Sequence, residues 1–225
     1  MKTFAIIAAG GKGTRSGFFT SKQYLKFNKK ELIAYTLQIF QKNVLVDEII
    51  ITADPSCFSL LEKIKKKYRL TKITNIIEGG KTRQDSVYNA LISLKAQKKD
   101  LVIVHDAVRP FLPQDVLTKS INLAKEKGNA VVCIKAKDTL IKGKSFIESY
   151  LVRDEIYYVQ TPQIFKHEDL LRAMNFAYDK KFYGTDESML LMKINKKINI
   201  VEGAFINFKV TTKSDIELVK KLVKK

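Results

Sequence analysis

The stretch AAGGKGTRSG at residues 8–17 follows directly after the apolar run FAII at residues 4–7. The apolar run has the character of a buried β-strand, so the glycine-rich stretch begins where that strand ends. Glycine lets the backbone turn its N–H groups towards one point, and such a concave row of donors binds anions. Arg15 and Lys22 add positive charge suited to phosphate oxygens. We therefore expect a phosphate-binding loop here, and the alternative is a flexible turn that carries basic residues.

The stretch fits neither of two common phosphate-binding motifs. A P-loop requires Ser or Thr after its Gly-Lys pair, but the pair at 11–12 is followed by Gly13, and Ile6 stands where the first glycine should be. A dinucleotide fingerprint requires a third glycine at the position of Ser16. The phosphates of a nucleotide remain the expected ligand, held by a different kind of loop.

The composition predicts one cytoplasmic α/β domain over residues 1–225. No run of about 18 apolar residues is present, so we expect no membrane partner. The two cysteines, Cys57 and Cys133, are too few for a disulfide framework, which suits a reducing cytosol.

The net charge of +18 raises the possibility of a nucleic-acid partner. The lysines are spread over the whole chain, however, and aromatic residues do not alternate with basic ones as in RNA-binding modules. We therefore expect no nucleic-acid partner and interpret most of the charge as solvated helix faces. A non-catalytic module that binds anions or RNA stays open as an alternative.

Strand-like and helical runs alternate along the chain. This pattern predicts an α/β fold with a mixed, mostly parallel sheet and helices on both faces. Ligands of such sheets bind at the carboxyl ends of the strands. The strand runs are 3–9, 47–53, 73–78, 101–105 and 129–136, and the helical runs lie near 31–42, 56–68, 84–96 and 114–127.

The stretch EGGKTRQDSV at residues 78–87 stands at the end of the third strand and opens a helix. Its glycine pair permits close approach of the backbone, and the N-terminus of a helix favours an anionic or polar ligand. The hydroxyl of Ser86 suits the polar edge of a pyrimidine. The alternative is a turn whose Ser and Asp cap the helix.

The stretch VHDAVRP at residues 104–110 ends the apolar run 101–104. A carboxylate at that point, Asp106, is a suitable ligand for Mg²⁺, which takes its remaining oxygens from phosphates and water. Arg109 could face the phosphate of a second substrate, and the alternative is a salt bridge between the two that closes a loop. We expect His105 to be structural, because it has no partner for catalysis.

Residues 138–160 interrupt the alternation and predict a protruding β-hairpin arm with a turn at Gly143. The apolar residues of such an arm need a covering surface, and a second subunit is the expected one.

Two later segments carry candidate ligand contacts. Residues 185–188 (TDES) predict a helix N-cap with acidic residues in the first turn. The run NFKVTT at 207–212 predicts an apolar strand that contains Lys209. A lysine in an apolar strand is unusual unless it meets an anion.

Taken together, five separated segments resemble the cytidylyltransferases that activate acyclic polyol phosphates. The resemblance is carried by AGGKGTR at 9–15 with KQYL at 22–25, by the stretches at 78–87 and 104–110, by VQTPQIF at 159–165, and by 207–212. The chain departs from this family at Ser21, where proline is usual, at Val108 and at Ser188, where alanine is usual.

The resemblance implies a Rossmann-like nucleotidyltransferase fold and the transfer of CMP from CTP to a polyol phosphate, with release of pyrophosphate. The acceptor it implies is 2-C-methyl-D-erythritol 4-phosphate, in non-mevalonate synthesis of isoprenoid precursors. Ribitol 5-phosphate, giving CDP-ribitol for cell-wall polymers, stays open. The resemblance also implies Mg²⁺ as cofactor and a homodimer formed through the arm.

The family pattern also implies roles for individual residues. The residues implied in catalysis are Arg15, Lys22 and Lys209. Those implied in nucleotide binding are Ala9, Gly10, Gly11, Gly13, Gly80, Lys81, Ser86 and Ala107. Those implied in substrate binding are Asp106, Arg109, Thr139, Arg153 and Thr185, and Asp106 is also the expected metal ligand.

Overall fold

A seven-stranded, mostly parallel sheet forms the centre of the computed structural model, which describes residues 1–10 and 21–223. The elements of the first half are β1 (Thr3–Ala8), β2 (Lys26–Phe27), β3 (Lys30–Glu31), α1 (Leu32–Lys42), β4 (Glu48–Ala53), α2 (Phe58–Lys67), β5 (Ile73–Glu78), α3 (Arg83–Ser93) and β6 (Leu101–Asp106). Those of the second half are α4 (Gln114–Lys127), β7 (Asn129–Lys135), β8 (Ile141–Gly143), β9 (Ile147–Tyr150), β10 (Tyr157–Lys166), α5 (His167–Asp179), α6 (Glu187–Lys193), β11 (Ile200–Glu202) and α7 (Lys213–Leu222).

The strand order in the sheet is β11-β7-β10-β6-β1-β4-β5. Strand β10 is antiparallel to both of its neighbours, and every other pair is parallel. The strands β8 and β9 form a separate antiparallel pair, which is the hairpin of the arm. The predicted mixed, mostly parallel sheet with a hairpin arm is therefore confirmed.

Helices cover both faces of the sheet because its central strands are apolar on both sides. In β1, Ala5 and Ile7 belong to the apolar cluster that α1, α2 and α4 complete, whereas Phe4 and Ile6 belong to the cluster that α3, α5 and α6 complete on the other face. All four side chains are buried, and this burial on both faces explains why the sequence of the strand is a continuous apolar run. Helix α7 packs separately, through Val219 and its neighbours, against β2 and the start of α1.

The predicted strands and helices of the first half agree with the structure to within a few residues at their ends. One other prediction is wrong, and the arm is a few residues shorter than expected. Residues 207–212 form no strand, because this segment crosses from β11 to α7. Its main chain bonds to the loop after β6 through Val210 N and Val108 O, 2.9 Å apart, and forms no strand ladder. The arm ends before residue 160, because β10 already joins the main sheet at Tyr157.

The N-cap predicted at residues 185–188 is confirmed. Asp186 precedes α6 and accepts a hydrogen bond from the main-chain N–H of Met189. None of the helices in the described part of the chain is long and apolar enough to cross a membrane.

Candidate functional site

A cleft of about 930 Å³ opens at the carboxyl edge of the sheet. Four neighbouring parallel strands end on it, β1 at Ala8, β4 at Ala53, β5 at Glu78 and β6 at Asp106. This is the edge at which open α/β sheets bind their ligands. The described cationic side chains that line the cleft are Lys22, Lys81, Arg83 and Lys209, and the described carboxylates are Asp54, Glu78 and Asp106.

Asp106 lies at the centre of a cluster of three cations. Its Oδ1 is 3.1 Å from Nε of Arg83, and its Oδ2 is 2.9 Å from Nζ of Lys209 and 3.6 Å from Nε of Arg109. Burial opposes ionisation of this carboxyl group, but the charges of Arg83 and Lys209 outweigh it and hold its pKa well below the usual range. Asp106 is therefore a carboxylate that orients cations at the edge of the cleft.

Arg83 links the cleft to helix α6. Its Nη1 and Nη2 donate to the two carboxylate oxygens of Glu187, at 2.7 and 3.1 Å, while its Nε contacts Asp106. Burial lowers the pKa of Arg83, but the two carboxylates more than compensate and raise it. Sequence reasoning missed both residues as site residues. The GGxxR pattern at 79–83 pointed to Arg83, but no local pattern pointed to Glu187.

The loop at residues 79–86 is held in shape by its own polar groups. The Ser86 hydroxyl accepts from Gly80 N at 3.0 Å and donates to Thr82 O at 2.8 Å. Thr82 and Asp85 cap α3 reciprocally, so the predicted cap exists but uses Thr82 in place of Ser86. A Cβ on Gly80 would lie 2.2 Å from Cβ of Asp85, so only glycine fits there.

The segment at 209–212 brings two predicted cations to the same side of the cleft. Lys209 contacts Asp106, and Lys22 Nζ donates to Thr211 O at 3.3 Å. Thr211 and Thr212 also line the cleft, and neither was predicted. The two lysines therefore lie on the side of the cleft where β6 ends at Asp106.

His105 is structural, as predicted. It is completely buried, and burial lowers its pKa to about 3. Its Nε2 lies 3.3 Å from Arg109 O, which can only accept, so Nε2 carries the proton. Nδ1 then accepts from the Thr161 hydroxyl at 3.1 Å, and this hydroxyl accepts from Asp106 N at 3.2 Å.

The structure brings together nine of the predicted site residues and leaves four elsewhere. Those that line the cleft are Ala9, Gly10, Lys22, Gly80, Lys81, Ser86, Asp106, Ala107 and Lys209. Arg109 is buried beside the cleft, with Nη1 donating to Asn207 O at 2.7 Å. Thr139 and Arg153 lie on the exposed arm, and Thr185 is an exposed residue before α6. Gly11, Gly13 and Arg15 lie outside the described residues.

Among the described residues, the side chain of Arg153 makes one hydrogen bond, from Nη1 to Lys137 O at 3.3 Å. Apolar side chains on and beside the arm are solvent-exposed in the single chain, at 71% for Phe146, 68% for Tyr150 and 64% for Val152. In this chain alone the arm contributes no side chain to the cleft lining given above.

An open, mostly parallel sheet with a cation-rich, glycine-lined cleft at its carboxyl edge defines an α/β protein built to hold a phosphorylated ligand. The model of the IspD family, 2-C-methyl-D-erythritol 4-phosphate cytidylyltransferase, matches residues 3–225. The chain belongs to this family.

Individual relatives agree with the family match. The 2-C-methyl-D-erythritol 4-phosphate cytidylyltransferase of Clostridioides difficile is 36% identical over 97% of this chain and 92% of the relative. That of Clostridium acetobutylicum is 35% identical over 98% of this chain and 97% of the relative. The crystal structure of 4-diphosphocytidyl-2C-methyl-D-erythritol synthase from Anaerococcus prevotii has a TM-score of 0.87 at 27% identity and covers 100% of this chain and 96% of its own.

Proposed function

We propose that this chain transfers CMP from CTP to 2-C-methyl-D-erythritol 4-phosphate and releases pyrophosphate, a step in the synthesis of isoprenoid precursors. The observation that carries the proposal is the cleft at the ends of four parallel strands, where Asp106 orients Arg83 and Lys209 beside a glycine-rich loop. Membership of the IspD family indicates which nucleotide and which acceptor the chain uses.

The chemistry requires positioning and charge more than proton transfer. The attacking atom is a phosphate oxygen of the acceptor, which is already anionic near pH 7, so no general base is needed. It forms a bond to the α-phosphorus of CTP while the bond to the pyrophosphate oxygen breaks. An enzyme accelerates such a step by aligning two polyanions and stabilising the charge that develops between them.

Lys22 and Lys209 are suited to this task. Both line the cleft, and Lys22 Nζ donates to Thr211 O, two residues after Lys209, so a phosphate chain that enters the cleft would meet both ammonium groups. Lys209 would exchange its contact with Asp106 for the α-phosphate of CTP. Arg15 would act with Lys22 on the triphosphate, as the family pattern implies.

The donor set of the cleft fits a magnesium ion that enters with the nucleotide. Among residues 1–10 and 21–223, no three His, Cys, Asp or Glu side chains are grouped closely enough to hold a metal ion by themselves. Mg²⁺ commonly takes one or two carboxylates and completes its shell with phosphate oxygens and water. Asp106 would hold it here, and the ion would neutralise charge on the phosphates. Asp106→Asn should then raise the Mg²⁺ concentration needed for half-maximal rate, whereas Asp115→Asn, on the exposed face of α4, should not.

We also propose that the chain acts as a cytoplasmic homodimer. Its two cysteines are free, which suits a reducing compartment, and the exposed apolar residues of the arm suit a second copy. In that dimer Thr139 and Arg153 would reach the cleft of the partner.

Pyrophosphate release tests the proposed substrates. With CTP, we expect release to depend on 2-C-methyl-D-erythritol 4-phosphate and to be much slower with ribitol 5-phosphate, because the relatives reported above bear the first acceptor in their names. UTP should be a poor substrate, since polar groups that bind a cytosine edge are left unpaired by uracil. Faster release with ribitol 5-phosphate would show that ribitol 5-phosphate is the acceptor. Equal rates with CTP and UTP would overturn the assignment of the nucleotide.

A further inference from the structure

We propose that Asn207 is a positioning residue for Lys209, and this inference rests on the proposed function. Asn207 is fully buried and lies two residues before Lys209. Its Nδ2 donates to Gln160 Oε1 at 3.0 Å and to Thr161 O at 2.9 Å. One side chain thereby ties the segment that carries Lys209 to strand β10.

The segment from Gly203 to Thr212 has no helix or strand to hold it in place. On one side of Lys209, Val210 N donates to Val108 O at 2.9 Å. On the other side, Gly203 N donates to Cys133 O at 2.8 Å, Gln160 Nε2 donates to Ala204 O at 3.0 Å, the ring of Phe208 packs against Phe111, and Asn207 makes its buried hydrogen bonds to β10. Removal of the Asn207 amide therefore takes away the two buried side-chain hydrogen bonds that attach this segment to β10 just before Lys209.

The same residue also meets the cluster around Asp106. Arg109 Nη1 donates to Asn207 O at 2.7 Å, and Arg109 Nε lies 3.6 Å from Asp106 Oδ2. The carbonyl oxygen of Thr161 accepts a hydrogen bond from Asn207, and the hydroxyl of Thr161 accepts one from the main-chain N–H of Asp106. Asn207 thus fixes the main chain of Lys209 relative to the carboxylate that Lys209 contacts.

Precise placement of this kind matters because a charge stabilises a transition state only where the developing charge appears. If Lys209 acts on the α-phosphate, a small displacement of its main chain lowers kcat while CTP still binds through the rest of the cleft. Asn207 itself lies outside the residues that line the cleft, so it acts on the rate through the residues that it holds in place.

A double-mutant cycle tests this dependence. Asn207→Ala should lower kcat about tenfold, with little change in KM for CTP, and in the Lys209→Ala background the same substitution should lower kcat less than about twofold. A merely structural role would give the same fold-loss in both backgrounds, and that result would overturn the proposal.

Two further variants keep the test decisive. Asn199→Ala removes an amide that pairs with Asn129 at the opposite edge of the sheet, and it should leave kcat unchanged. If Asn207→Ala does not fold, as judged by circular dichroism, Gln160→Ala removes the acceptor of the same hydrogen bond and enters the same cycle with Lys209→Ala. An inactive wild-type chain with CTP and 2-C-methyl-D-erythritol 4-phosphate would refute the proposed function, whereas additive losses in an active enzyme would refute only the role of Asn207.

Discussion

Arg83 and Glu187 form a bidentate ion pair across 104 residues of sequence, with Nη1–Oε1 at 2.7 Å and Nη2–Oε2 at 3.1 Å. The pair joins the start of α3 to the start of α6 and fixes the guanidinium whose Nε contacts Asp106. The side chain of Glu187 is 2% exposed and that of Arg83 is 29% exposed. Such burial makes the loss of one partner costly.

Glu187→Gln should therefore destabilise the protein by about 2 kcal/mol, because it leaves the charge of Arg83 only partly compensated. Denaturant unfolding measures this loss. Glu217→Gln is a matched control, since Glu217 contacts Lys220 at the same 2.7 Å but both side chains are more than half exposed. The control should lose less than about 0.5 kcal/mol, and equal losses in the two variants would contradict the structural importance of the buried pair.

Lys22→Ala and Lys209→Ala should each lower kcat by roughly a hundredfold while the protein stays folded, because each removes a preorganised charge. Steady-state kinetics with saturating CTP measures the effect. Lys213→Ala is the control, since Lys213 is an exposed lysine four residues after Lys209 and outside the cleft lining. A near-normal kcat for Lys209→Ala would show that this lysine only pairs with Asp106.

His105 predicts a specific pH dependence of stability. The unfolded chain binds a proton on this ring near its ordinary pKa of 6.5, whereas the folded protein does so only near 3. Between these values the unfolded state binds more protons, so the free energy of unfolding falls as the pH falls. From pH 6.5 to 5.0 the wild type should lose about 1.5 kcal/mol more than His105→Asn. A wild-type slope in His105→Asn would contradict the account.

The arm yields a test of the proposed dimer. Lys22→Ala disables the cleft, and Arg153→Ala disables the arm if it serves the partner. After full exchange of subunits, about half the dimers are mixed, and one of the two sites in each mixed dimer is intact. Activity should recover to about a quarter of that of the wild type by this symmetry argument. No recovery, with exchange verified by native mass spectrometry, would show that Arg153 does not act across the dimer.

The core of the fold could be predicted because its strands are apolar on both faces. The runs that form β1, β4 and β6 are bounded by polar residues or glycine, so their ends, and the cleft at those ends, follow from the sequence. Strand β10 was not predicted as a strand, since the segment TPQ at residues 161–163 interrupts its apolar pattern. It joins the sheet through pairing with β6 and β7 that no local pattern encodes.

The residues of the site could be predicted only where a short local motif contains the charged or glycine residue that the site uses. Asp106 and Gly80 stand at strand ends and were found, whereas Glu187 was read as part of a helix cap because its partner Arg83 is distant in sequence. Lys209 was predicted correctly as a residue of the cleft, but the argument placed it in an apolar strand that the structure does not contain. The structure shows an irregular segment held by the buried side chain of Asn207.

The most direct measurement of the central claim is ³¹P NMR of the purified chain with CTP, Mg²⁺ and 2-C-methyl-D-erythritol 4-phosphate. The account predicts that the triphosphate and phosphomonoester signals disappear together, while pyrophosphate and a new diphosphate diester appear in equal amounts. Unchanged CTP, or CTP consumed to give CDP and orthophosphate with the acceptor intact, would contradict the transfer of CMP.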